Sequence, residues 1–297
     1  MEDYDIQTPT AASSNSVRQE WSVLAVFERD GRLLRAVALI AVLMNIPYGV
    51  YVLYPFALFS TWVHESCHGL AAIVTGGRVL WLKVFPDGSG LALTETTGEA
   101  HKVAFVASAG YCGTAVAGGV LLLFRRTGRG ARIGMVGVGL AVLISCGVLV
   151  RNAFGLVALV SIGLLLVTCG WKLPPRFVGE VYAVVAATCS LNAFTSITVL
   201  FDTEPFSIAG VVRQSDAQVV ADELWLPYWF WATLWILLAV FMSSIGFFCA
   251  IEPGSEPPQS GRKSYLSAWT NNRKSETNKE ELAEVLPQAE VVWQLPT

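Results

Sequence analysis

Five stretches of this chain, 103–124, 133–150, 153–170, 177–200 and 226–251, hold a single charged residue between them, Glu180. Each is about 18 or more residues long, the length at which a helix spans a hydrocarbon layer. With 54% apolar and only 14% charged residues over 297 positions, the chain has too little polar surface to cover a soluble globule. The sequence therefore predicts an all-α polytopic membrane protein that has the lipid bilayer as part of its solvent. The net charge of −3 is spread over loops and tails, and no basic stripe with interleaved aromatics is present, so no nucleic acid is expected as a partner. The six cysteines lie in apolar segments without CxxC spacing, which indicates neither a disulfide framework nor a thiolate zinc site and suits small packing residues.

Punctuation divides the chain into a polar tail, 1–32, a membrane domain, 33–251, and a second polar tail, 252–297, expected to be disordered. The N-terminal tail lacks the basic segment and small-residue cleavage site of a signal peptide. Asn45, Pro47 and Pro55 interrupt the first apolar stretch, so a new helix is expected after Pro55, over about 57–75, ending at Gly76-Gly77. The runs RVLWLKVF and LALTET flank PDGSG and predict a β-hairpin. Six to seven transmembrane helices result. The arginines at 125, 126, 129 and 132 agree with Lys172 and Arg176 on one cytoplasmic side, with the acidic loop 202–223 opposite.

Chemistry concentrates in the helix after Pro55. His64 and His68 are one turn apart, so both imidazoles project from one face, with Glu65 beside them in an HExxH arrangement. Such a pair suits Zn2+, which takes neutral imidazole nitrogens and leaves a position for water. Glu65 is then the general base. Ionisable side chains inside an apolar span are costly and mark function. A catalytic zinc needs a third protein ligand, and His101, Asp202, Glu204 and Asp216 are the candidates. His101, next to Lys102 at a helix head, reads as interfacial; Asp202 closes an apolar helix and could dip toward the histidines; spacing alone does not decide.

HESCHGLAAIVTGGRV, PDGSGLA, SAGYCGTAVAGG, Asp202 and Ser215-Asp216-Ala217 together resemble the intramembrane site-2-protease class of zinc metallopeptidases, in its M50B-like branch, over about 59–235. The resemblance implies His64 and His68 as zinc ligands, Glu65 as general base and a later aspartate as third ligand. Asp202 matches that position best and Asp216 is the reserve, expected instead to cap its helix. The local FDTEP departs from the NPxxxxDG or LDG setting of the class. The resemblance also implies a zinc-dependent endopeptidase for membrane-embedded protein or peptide substrates, held at a β edge, so proline within 79–84 is expected to impair cleavage. Asn152 and Asn192 are candidate contacts to substrate backbone, with helix-to-helix hydrogen bonding as the alternative role. The competing function is a catalytically silent relative that binds or chaperones membrane clients.

Overall fold

The computed structural model describes residues 31–125, 129–195, 200–201, 206–208 and 210–249. Among them are eight helices and two small antiparallel hairpins. In chain order these are α1 (Gly31–Asn45), α2 (Gly49–Val74), β1 (Arg78–Val84), β2 (Gly90–Glu95), α3 (Ala100–Phe124), α4 (Gly130–Val148), α5 (Ala153–Lys172), α6 (Pro175–Thr195), β3 (Phe206–Ile208), β4 (Val211–Arg213), α7 (Asp216–Glu223) and α8 (Tyr228–Cys249). Four helices, α3, α4, α5 and α8, are long and apolar enough to cross a membrane. Residues 1–30 of the first polar tail and all of the second lie outside the described residues, while Gly31 and Arg32 already belong to α1.

The first break falls earlier than the sequence suggests. Pro55 sits inside α2, and the corner between α1 and α2 is made at 46–48, where Tyr48 adopts a left-handed φ of 66°. A Cβ on Gly49 would come within 1.9 Å of the Leu43 carbonyl oxygen, so only glycine closes this corner. Pro55 removes one backbone donor from a helix of 26 residues, a loss that its surrounding packing absorbs.

Helix α3 is the most buried of the four spans and packs against α2, α6, α7 and α8. Its small residues explain that position. A Cβ at Gly113 would lie 2.5 Å from Cys67 Sγ on α2, and one at Gly118 would lie 2.5 Å from Ser190 Oγ on α6. Close backbone approach is how helices gain contact where lipid already solvates apolar side chains. On the periphery α4 pairs with α5, and Arg132 donates to the carbonyls of Trp171 (2.7 Å) and Leu173 (2.8 Å), capping the end of α5.

Strands β1 and β2 form the predicted hairpin, with Val84 opposite Gly90, Lys83 opposite Leu91 and Trp81 opposite Leu93. Its turn uses Gly88 at φ 86° and Asp87, whose Oδ1 accepts from the Ser89 N–H at 2.9 Å. Helix α2 holds this turn: Tyr54 donates to the Pro86 carbonyl and Thr61 to the Gly88 carbonyl, both at 2.7 Å. Tyr54, Thr61, Glu65 and His68 are spaced by seven, four and three, so they share one face of α2 and the hairpin covers it.

The outer edge of β1 is not free. The Leu82 N–H donates to the Leu149 carbonyl (2.9 Å) and the Arg151 N–H donates to the Leu82 carbonyl (3.0 Å). Asn152 completes the edge, donating from Nδ2 to the Val84 carbonyl at 2.7 Å while its Oδ1 faces the Val84 N–H at 3.3 Å. Backbone groups of Leu82 and Val84 therefore point away from β2, and those of Lys83 point toward it. By the alternation of an antiparallel ladder, Leu91 and Leu93 face β1, whereas Gly90, Ala92 and Thr94 present their N–H and C=O groups outward. No described residue pairs with that edge of β2.

Candidate metal site

The site is assembled from three elements. Helix α2 brings the two imidazoles together, with Nε2 of His64 and Nε2 of His68 3.1 Å apart. Helix α7 adds Asp216, whose Oδ2 lies 3.2 Å from His64 Nε2 and 3.3 Å from His68 Nε2. Helix α3 supplies the wall, and does so through a glycine: a Cβ on Gly110 would sit 2.4 Å from His68 Nε2 and 2.5 Å from His64 Nε2. Any larger residue there would displace both rings.

These distances test whether a metal fits. Ligand atoms about 2.0–2.1 Å from a tetrahedral zinc lie roughly 3.3 Å from one another. The three edges of the His64, His68 and Asp216 triangle, 3.1, 3.2 and 3.3 Å, have that size, and the three residues form a group able to hold a metal ion. The tautomer of His68 also suits. Its Nδ1 faces the Val106 carbonyl at 2.7 Å, and because a carbonyl can only accept, the proton resides on Nδ1 and the Nε2 lone pair is left for a ligand bond.

Glu65 is 4% exposed, and its Oε2 has no hydrogen-bond partner among the described residues. A buried carboxylate oxygen without a donor is costly in a finished core, so its presence beside the imidazoles suits a group whose partner arrives with the reactants. Gly90 of β2 closes over it: a Cβ there would lie 2.6 Å from Glu65 Cγ and 2.8 Å from Oε1. At Asp216, burial alone would raise the carboxyl pKa. Without a metal, a His68 that is protonated on Nε2 as well outweighs it by its charge, and with hydrogen bonds from His64 and His68 holds the group well below the usual carboxylate range. Its other oxygen faces Arg213 of β4 at 3.9 Å.

Of the residues singled out by sequence, His64, Glu65, His68 and Asp216 converge here. Asp216 does not cap its helix; that role falls to Ser215, whose Oγ accepts from the Gln218 N–H at 3.3 Å. Asp202 lies outside the described residues, and so does the side chain of Asn192, whose backbone belongs to α6. Asn152 bonds the backbone of β1 at Val84, through one N–H and the oxygen of its amide. His101 is exposed and pairs with Glu99 at 3.3 Å. Sequence reasoning missed Gly110, Gly90, Arg213 and Tyr111, and it placed β3 and β4 within one acidic loop. The visible signals were the FSI and VVR runs around Gly210, a turn glycine at φ 81°, and the glycine spacing of AGYCG.

A family model described as Peptidase M50B-like matches residues 33–246. Comparison with curated proteins and with solved structures found no match.

Proposed function

The chain belongs to the Peptidase M50B-like family, and from that premise we propose that it is a zinc-dependent endopeptidase that hydrolyses peptide bonds of membrane-embedded substrates. It is a multi-pass integral membrane protein. The observation that carries the proposal is the His64, His68 and Asp216 triangle, with edges of 3.1–3.3 Å, beside the buried, unpartnered Glu65 Oε2. In this reading His64 Nε2, His68 Nε2 and Asp216 Oδ2 hold the zinc, and Asp216 takes the role for which Asp202 matched the resemblance best. Bound zinc supplies Lewis acidity, lowering the pKa of a water to about 7 and polarising the scissile carbonyl. Glu65 takes the proton of the attacking water on Oε2 and returns it to the amine as the C–N bond breaks. Gly90 and Gly110 keep this volume small, and the helices around it exclude bulk water. Besides the four spans, α1, α2 and α6 complete the six to seven crossings of the proposed architecture.

A transmembrane helix has its carbonyls bonded internally, so it must unwind before hydrolysis, and its freed backbone groups need partners. The outer edge of β2 offers them at Gly90, Ala92 and Thr94, and Gly90 abuts Glu65, so a strand added there runs toward the base. This moves the docking edge from β1, where proline within 79–84 was expected to act, to β2. Proline in β1 would break contacts within the chain. Ala92→Pro removes an outward N–H that the hairpin does not use. It is expected to slow cleavage roughly 3- to 10-fold, the worth of about one hydrogen bond, with zinc content unchanged. Normal cleavage by Ala92→Pro would show that substrate does not pair at this edge.

The proposal as a whole is tested on detergent-purified protein prepared without chelators. We expect close to one zinc per chain by elemental analysis, and chelator-sensitive cleavage of single-span substrates after co-reconstitution. Protein that stays metal-free after zinc is supplied contradicts the reading. Stoichiometric zinc without cleavage of any substrate in a single-span panel favours the silent relative.

A further inference from the structure

The two histidines are oriented by different means. His68 has the Val106 carbonyl on Nδ1, a hydrogen bond that fixes both its proton and its ring plane. His64 has no such partner: among the described residues its polar contacts are those to His68 and Asp216 at Nε2, and nothing accepts from its Nδ1. What borders His64 instead is aromatic. The Tyr111 ring meets it edge to face, with centroids 4.8 Å apart and planes at 85°. Behind Tyr111 lies Trp235 of α8, nearly parallel at 13° with a centroid separation of 5.7 Å. Both rings are buried, at 9% and 4% exposure.

The placement follows from the chain. Gly110 lets α3 come against the imidazoles, and the next residue turns its ring onto the side of His64. Tyr111 and Trp235 lie in one core cluster with Ala217 and Val220 of α7, the helix that carries Asp216. One apolar block thus borders two of the three metal-facing side chains. Edge-to-face contact is directional because the positive ring edge seeks the negative face of its neighbour, so it restricts rotation of the imidazole as well as filling space.

We infer that Tyr111, backed by Trp235, is the positioning residue of His64: aromatic packing sets the plane of this imidazole as the Val106 carbonyl sets that of His68. The inference rests on the reading of His64, His68 and Asp216 as metal ligands. It assigns the work to the ring of Tyr111 and none to its hydroxyl.

The test uses the full-length protein in detergent, with Co2+ as a spectroscopic probe and zinc affinity measured by chelator competition. Removing a group that orients a ligand typically costs 10- to 100-fold in metal affinity. Tyr111→Leu is expected to weaken zinc binding by about 10-fold or more and to change the Co2+ ligand-field spectrum. Tyr111→Phe keeps the ring and is expected to match the wild type in both. Trp235→Leu leaves the site's first neighbours in place and is expected to shift both readouts in the direction of Tyr111→Leu by a smaller amount, which keeps the question answerable if Tyr111→Leu does not fold. Wild-type affinity and spectrum in a folded Tyr111→Leu, or in Trp235→Leu when Tyr111→Leu does not fold, would overturn the inference. Loss of zinc by Tyr111→Phe as severe as by Tyr111→Leu would overturn it too, by transferring the role to the hydroxyl. Failure of the wild type to take up either metal would instead strike the metal reading beneath it.

Discussion

Asp216→Ala is expected to lose zinc while both imidazoles remain. Asp216 Oδ2 closes a triangle whose other corners are the two Nε2 atoms, at 3.2 and 3.3 Å. It is also the only anionic corner, so it offsets part of the metal's charge in a site sheltered from water. Groups that only orient a ligand are worth about 10- to 100-fold in affinity, and removal of a ligand should exceed that range. Asp216→Asn keeps the shape and one oxygen but loses the charge, and is expected to fall between. Chelator competition measures all three. If Asp216→Ala kept its zinc and Asp202→Ala lost it, the family resemblance that favoured Asp202 by position would have been the better guide than the distances.

Glu65→Gln should separate binding from turnover. Glutamine has the size of glutamate and fits below Gly90, where a Cβ would already touch Glu65 Cγ, so zinc content is expected to be unchanged. An amide cannot take the proton of water at neutral pH, and loss of a positioned general base lowers rate by about 10²- to 10⁴-fold. The measurement is cleavage of a co-reconstituted single-span substrate, with zinc determined on the same preparation. Zinc loss as complete as in His64→Ala or His68→Ala would make Glu65 a ligand. Unchanged cleavage would remove it from the chemistry altogether and support a silent chain with activity from elsewhere.

The sequence reading came closest where a local rule applies. The spacing of His64 and His68 needs only the helical period to bring their rings to one face. The turn chemistry of PDGSG needs only Asp87 and Gly88 to fold the hairpin back. Where two local signals competed, the outcome was less legible. Pro47 and Pro55 are equal helix breakers on paper, yet the corner forms at 46–48 because Gly49 alone can approach the Leu43 carbonyl, while Pro55 is carried within a well-packed helix.

By itself, then, the amino-acid order determined a helical membrane protein, a pair of imidazoles beside a carboxylate, and a hairpin directly after them, because each follows from length, period or turn chemistry within a few residues. Tertiary structure alone decided which acid meets the imidazoles, which edge of the hairpin stays open and what steadies His64. Asp216 is some 150 positions from the histidines, and it arrives only because α7 packs against α3, which Gly110 allows close to α2. The open edge belongs to β2 because residues 149–152 occupy β1, a pairing between segments that share no pattern. Such contacts depend on the summed packing of several helices, and no window of the sequence contains that sum.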